Sequence, residues 1–203
     1  ILDYSNFQLV VQAVLPNYLQ LFRQEYQEML DIYKSVVESI IFTRNTMILR
    51  GVEMQHNTYG LVKDMIESNS IVQLMDAIST GETREIPALL VAAGPSLDKN
   101  VKELKKAKGK AFLLVVDTAL NTVFEHGIVP DLTISIDSRK PLKLFQNQEF
   151  ENIPIVLSMN SNTEVVKKNN ARHFYEIDDQ TYVKRIIEKL GKKSMQLPTG
   201  GSV

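Results

Sequence analysis

The chain has 203 residues, 44% hydrophobic and 23% charged, a composition that suits a globular protein of one large domain or two small ones. It holds no cysteine and only three scattered histidines, which excludes disulfides and thiolate chemistry and argues against a histidine-built zinc site. The net charge of −1 is unevenly shared: 6 Lys+Arg against 11 Asp+Glu in residues 1–85, then 17 against 13 in residues 86–203, a tilt that suits an anionic ligand on the second half.

Residues 1–85 read as helices. From Leu19 the apolar positions run Leu19, Phe22, Tyr26, Met29, Tyr33, Val36 and Ile40, in alternating steps of three and four. That spacing is one face of a helix, sustained too long for a strand. Pro16 or Asn17 starts it, and Gly51 weakens it just past Arg50. A second helix is expected over 53–67 and a third over 71–78, with "STGET" at 79–83 closing the region. Such a helical region packs, props, dimerises or grips an acceptor, and it leaves a homo-oligomer open.

From Ile86 the period changes. The runs "IPALLVAA", "AFLLVVD", "DLTISID", "IPIVLSM" and "RHFYEI" alternate with helical stretches that begin near Leu97, Thr118, Arg139, Thr163 and Thr181. Strand and helix taking turns predicts βαβ units and a parallel sheet covered on both faces. The expected fold class is therefore α/β: a Rossmann-like, doubly wound parallel sheet over 86–203, preceded by an α-helical region over 1–85. The lysines from Lys99 to Lys110 lack interleaved aromatics, so they read as a solvated helix face and no nucleic-acid partner is expected. No apolar run approaches the roughly 18 residues of a membrane span, and no signal-peptide pattern opens the chain. The expectation is a cytoplasmic protein without a membrane span. Opening on Ile1 and stopping at "PTGGSV", the chain also reads as a piece of a longer protein, its sheet incomplete at the C-terminus.

In an open parallel sheet the ligand sits beyond the carboxyl ends of the strands. Small, acidic and amide residues gather there: Gly94, Pro95 and Ser96 after the first strand, Asp117 and Thr118 after the second, Asp137, Ser138 and Arg139 after the third, and Ser158, Met159 and Asn160 after the fourth. Gly94 admits close approach to its backbone, and Pro95 stiffens the turn. Ser96 either caps the following helix or offers its hydroxyl and N–H to a phosphate at the positive helix end. The loop has neither the G-x-G-x-x-G spacing nor the G-K-[ST] of a P-loop, so it is equally a phosphate seat and a tight turn. Thr199, Gly200, Gly201 and Ser202 form a second candidate, where paired glycines free backbone N–H groups for an anion nest, or else a plain turn. Asp117 and Asp137 either orient ligand hydroxyls or cap helices. His56, His126 and His173 read as structural, no residue is assigned as catalytic base, and no metal site is expected.

Three blocks, "PALLVAAGPSLDKNVKELKK", "VVDTALNTVFEHGIVPDLTISID" and "LPTGGSV", together resemble the motility-associated factor family of bacterial flagellin glycosyltransferases. Their catalytic domain is similar to that of sialyltransferases using cytidine-monophosphate sugars, in which a Gly-x-Gly-Pro-Ser-Leu loop and a later Pro-Thr-Ser-Gly loop hold the donor. Here the matching residues are Gly94-Pro95-Ser96-Leu97 and Pro198-Thr199-Gly200-Gly201-Ser202. Alanine, at 92 or 93, stands where those enzymes have their first loop glycine, and Asp117 where they often have asparagine.

The resemblance implies a glycosyltransferase that moves a nonulosonic (sialic-like) acid from a CMP-activated donor to Ser or Thr of flagellin, with no required cofactor. It places the phosphate cradle at Gly94, Pro95, Ser96, Thr199, Gly200, Gly201 and Ser202, donor hydroxyls on Asp117 and Asp137, and the nucleotide near Asn160. The same domain family includes archaeal enzymes that transfer pyrophosphate from ATP to a hydroxymethyl pterin. That alternative requires magnesium, for which Asp117 and Asp137 are the available carboxylates. A non-catalytic binding module is the second alternative.

Overall fold

A computed structural model describes residues 14–80, 86–178 and 181–197. The chain divides into two compact units, Ile1–Val52 and Glu53–Val203.

In the first unit α1 (Pro16–Leu21) starts with Pro16 in its first turn, as the sequence predicts, and gives way at Phe22 to α2 (Arg23–Glu67), whose residues from Glu53 on belong to the second unit. α2 passes straight through Gly51, where a break into two helices was expected. A glycine inside a helix costs only about 1 kcal/mol relative to alanine, too little to end one flanked by good helix formers. Among the described residues of α2, burial begins only at Asn57 and continues with Thr58, Leu61 and Met65.

The second unit is a parallel sheet. Its strands are β1 (Asn69–Ser70), β2 (Ala88–Val91), β3 (Phe112–Val116), β4 (Leu132–Ser135), β5 (Ile155–Ser158) and β6 (His173–Glu176). Its helices are α3 (Ile71–Thr80), α4 (Pro95–Ala107), α5 (Leu120–Glu125), α6 (Thr163–Lys168) and α7 (Tyr182–Lys189). The five strands read from the sequence all form within their expected runs. The two-residue β1, too short for any periodic signal, is the addition. All pairings are parallel, in the order β1-β6-β5-β4-β3-β2, so the fold is α/β.

Helices cover both faces of this sheet, as the alternation of strand and helix predicts. From β2 to β6 each strand lies beside its predecessor in the chain, and crossovers of one hand then fall on one face. The main core confirms it: Val91, Val115, Leu157 and Tyr175 on the strands meet Val101 of α4, Val123 of α5, Val166 of α6 and Ile187 of α7. Leu61 and Met65 from the end of α2 join the same layer. The opposite face carries a smaller cluster in which Ile71 and Leu74 of α3, with Met195 and Leu197, cover Leu132, Val156 and Phe174. At the β2 edge of that face Leu90 remains 70% exposed.

Polar contacts tie the end of α2 to β6. Asp64 Oδ2 accepts from Tyr175 Oη at 2.7 Å and from His173 Nδ1 at 2.8 Å. The other ring nitrogen of His173 faces the Asn169 carbonyl at 3.2 Å. Burial works to raise the Asp64 pKa, but the hydrogen bonds from His173 and Tyr175 and the charge of His173 outweigh it, so the carboxyl sits below its ordinary value. Burial, followed by the Asp64 charge, pushes the Tyr175 phenol up. Lys192 Nζ then caps the carbonyl end of α2, donating to Ile66 and Ser68.

Candidate functional site

Because every pairing is parallel, β2 to β6 present their carboxyl ends along one edge, and the loops leaving them converge there. At β2, Gly94 is the residue preceding α4, Pro95 occupies the first helical position and the Leu97 amide returns to the Gly94 carbonyl at 2.8 Å. Gly94 has φ −147° and ψ 165°, an extended backbone open to any residue, and an added Cβ would meet nothing closer than Ser96 Oγ at 4.0 Å. Its value is therefore unobstructed approach to the backbone and not a special conformation. Ser96 lies inside the first turn, exposed, and no side chain caps this helix. Of its two predicted roles, capping is ruled out by position, which leaves the hydroxyl at the positive end of a 13-residue helix.

At the end of β3, Asp117 is buried at 4% exposure. Ser135 Oγ, from the end of β4, donates to its Oδ2 at 2.8 Å, and Lys140 Nζ lies 3.0 Å from its Oδ1. Asp117 is thus neither a helix cap nor an idle carboxylate: it holds a lysine ammonium at the edge of the sheet. Asp137, half-buried in the loop after β4, accepts from the Arg139 amide at 2.9 Å and so shapes the turn that delivers Lys140.

The loop after β5 is set by a second run of contacts. Ser161 Oγ donates to the Ser135 carbonyl at 2.9 Å and accepts from the Ser158 amide at 2.9 Å. Ser158 Oγ donates to Asn160 Oδ1 at 3.2 Å, which occupies the Asn160 side chain within its own loop. Asn57, buried on α2, donates through Nδ2 to the carbonyls of both Ser138 and Asn160 at 3.2 Å and so staples the β4 and β5 loops together. Arg139 pairs with Glu53 on the same stretch of helix. Between these elements opens a shallow groove of about 600 Å³ with a mixed lining, which includes Glu53, Arg139, Lys140, Leu142, Thr163 and Glu164.

Glu176 closes the edge at the end of β6. It is 6% exposed, and its Oε2 accepts from the Leu197 amide at 3.2 Å. Burial pushes its pKa above the ordinary carboxylate value against the hydrogen bonds from Ser158 and Leu197, and the nearby Asp178 charge adds to the rise. Leu197 therefore stands at the carboxyl edge, immediately before Pro198. Thr199, Gly200, Gly201 and Ser202 lie outside the described residues.

The sequence pattern of the family described as 6-hydroxymethylpterin diphosphokinase MptE-like matches residues 56–203. The chain belongs to that family. No curated protein matches it. Among solved structures, the MAf glycosyltransferase from Magnetospirillum magneticum AMB-1 is similar over 49% of this chain and 17% of its own, at 15% identity and a TM-score of 0.43. The chain thus spans about a sixth of that protein.

In this MptE-like chain the structure brings Asp117, Asp137 and Asn160 to one edge with Gly94, Pro95 and Ser96. Sequence reasoning missed Lys140, Ser135, Ser161, Asn57 and Glu176. Asn57 carried a signal, since it interrupts the apolar side of a helix with an amide. Glu176 carried one too, as an acid at the end of a continuous apolar run; Lys140 was one lysine among many. Of the histidines, His173 binds Asp64 at the amino end of β6, His126 meets the Thr122 carbonyl at the end of α5, and His56 is exposed on α2. Among the described residues no group of three or more His, Cys, Asp or Glu is placed to hold a metal ion, and no helix is long and apolar enough to cross a membrane.

Proposed function

We propose that this chain is the donor-binding part of a transferase whose leaving group is a nucleoside phosphate, with a CMP-activated nonulosonic acid as donor and a Ser or Thr hydroxyl of flagellin as acceptor. The observation that carries the reading is the Lys140–Asp117 pair. A buried carboxylate fixes an ammonium at the carboxyl edge, one strand away from the head of α4, where the Ser96 hydroxyl is free. A positive charge and helix-end N–H groups held in place before the ligand arrives stabilise charge that develops on a departing phosphate. The groove beside Lys140 has room for a sugar, and Thr163 on its wall offers a hydroxyl, while Asn162 is held by the Lys140 carbonyl and the Glu164 amide. In this reading donor binding needs no metal, since Lys140 supplies the cation.

The family match favours a second reading, pyrophosphate transfer from magnesium-bound ATP to a hydroxymethyl pterin. The engagement of both Asp117 oxygens, by Ser135 and Lys140, counts against Asp117 as a magnesium ligand. Calorimetric titration of the protein with cytidine monophosphate, and separately with ATP and magnesium, separates the two. The expected result is metal-independent binding of cytidine monophosphate that weakens at least about tenfold in Ser96→Ala, a substitution neutral to stability within about 0.5 kcal/mol. Binding of ATP only with magnesium would favour the pterin reading, and unaltered cytidine-monophosphate binding in Ser96→Ala would remove the head of α4 from the site.

A further inference from the structure

Resting on the nucleoside-phosphate reading above, we propose that Arg139 selects the donor, its guanidinium binding the carboxylate of an acidic sugar while Lys140 beside it takes the phosphate. In a nucleotide-activated nonulosonic acid the carboxylate and the phosphate hang on the same anomeric carbon. Such a donor presents two anionic groups a few bonds apart, whereas an aldose donor has no carboxylate to offer. A site that tells them apart needs neighbouring cations, each held in place before the ligand arrives.

The loop after β4 supplies two cations as consecutive residues, and both line the groove. Its backbone is pinned at three successive positions: the Ser138 carbonyl by Asn57 at 3.2 Å, the Arg139 amide by Asp137 at 2.9 Å and the Lys140 carbonyl by Asn162 at 3.0 Å. The side chains are then held differently. Lys140, 20% exposed, sets its ammonium against the buried Asp117. Arg139, 52% exposed, gives its Nε to Glu53 at 2.5 Å, and among the described residues no hydrogen bond takes its terminal nitrogens. A guanidinium held by one edge keeps its plane and still has N–H groups for an acceptor with two oxygens.

Charge decides between a carboxylate and a second phosphate as that acceptor. The same lining holds Glu53 and Glu164, so each negative charge brought in beside them is repelled. A carboxylate adds a single charge and a terminal phosphate adds more. Glu53 also offsets part of the Arg139 charge, which leaves a planar fork whose shape matches a carboxylate. Glu164 remains for the hydroxyl groups of the sugar.

Calorimetric titration of the full chain with cytidine monophosphate, cytidine diphosphate and CMP-N-acetylneuraminic acid tests this, with circular dichroism to establish that variants fold. The last probe carries the carboxylate that every nonulosonic donor shares. It is expected to bind about tenfold more tightly than cytidine monophosphate, roughly the worth of one charge-assisted bidentate contact. In Arg139→Gln that ratio should fall to about twofold or less, and in Arg139→Lys, which keeps the charge without the fork, to about threefold. Cytidine diphosphate should bind no more tightly than the monophosphate. If cytidine monophosphate itself fails to bind, the nucleoside-phosphate reading falls and this proposal with it. If it binds and the acidic sugar gives no advantage, or the advantage survives in Arg139→Gln, the proposal alone is overturned. A diphosphate advantage that Arg139→Gln removes would overturn it too, by giving Arg139 to a second phosphate.

Discussion

The two ends of the same sheet hold two polar networks of opposite character. At the amino end, Asp64 gathers His173 and Tyr175 and fastens α2 to β6. Its parts come from one helix and one strand, and every contact is between groups that stay together. At the carboxyl end, Asp117, Ser135 and Lys140 come from two strand ends and a loop, and the lysine they hold lines an open groove. Burial and hydrogen bonding alone therefore do not mark a functional cluster. What marks the second is that its lysine lines a groove a ligand can enter.

The sharpest way to break this comparison is at Lys140. Lys140→Met leaves the Asp117 carboxylate buried and unpaired, which is expected to cost about 3 kcal/mol in chemical denaturation and to abolish nucleotide binding. Lys140→Met/Asp117→Asn should recover most of the stability and none of the binding. If the double variant binds nucleotide like the natural protein, the carboxyl-end network is as purely structural as the one at Asp64.

At the amino end the expectation reverses. Asp64→Asn should lower stability by about 1–3 kcal/mol at neutral pH and leave nucleotide binding unchanged in calorimetry. The Asp64 pKa is depressed by folding, so its contribution is complete above the ordinary aspartate value of about 3.9 and is lost as pH falls through the lower folded value. The stability gap between natural protein and variant should therefore close in strong acid. A gap that widens there would contradict the assignment.

Glu176 gives the smallest effect and the opposite sign. Its folded pKa is raised, so the natural protein is favoured below the ordinary glutamate value of about 4.3 and loses that advantage as pH rises through the folded value. Glu176→Gln is expected to be the more stable form at pH 7, by up to about 1 kcal/mol, and to gain nothing in acid. Denaturation midpoints at the two pH values measure it, and an equal gain at both would mean that ionisation of Glu176 is not involved.

Much of this molecule was legible as a line of residues, and the reasons are local. Strands β2 to β6 were recoverable because apolar runs of strand length separated by helical segments leave few other assignments. The head of α4 was recoverable because Gly-Pro-Ser before a helix pattern has few other meanings. The continuity of α2 through Gly51 was not, since a glycine's modest cost is decided by the residues around it. Nor was Lys140 separable from the other lysines, because what distinguishes it is Asp117, twenty-three positions earlier and adjacent only once β3 and β4 pair.

By itself the sequence determined the element types, the parallel α/β class and the edge on which polar residues collect, because backbone periodicity and turn chemistry act between near neighbours. Only the tertiary structure decided that the crossovers from β2 to β6 share one face while α3 takes the other, that Asn57 fastens two loops, and that Asp117 holds Lys140 while Glu176 meets Leu197. Those outcomes depend on strand order and on contacts between residues far apart in the chain, and no local rule of spacing encodes which distant groups will meet.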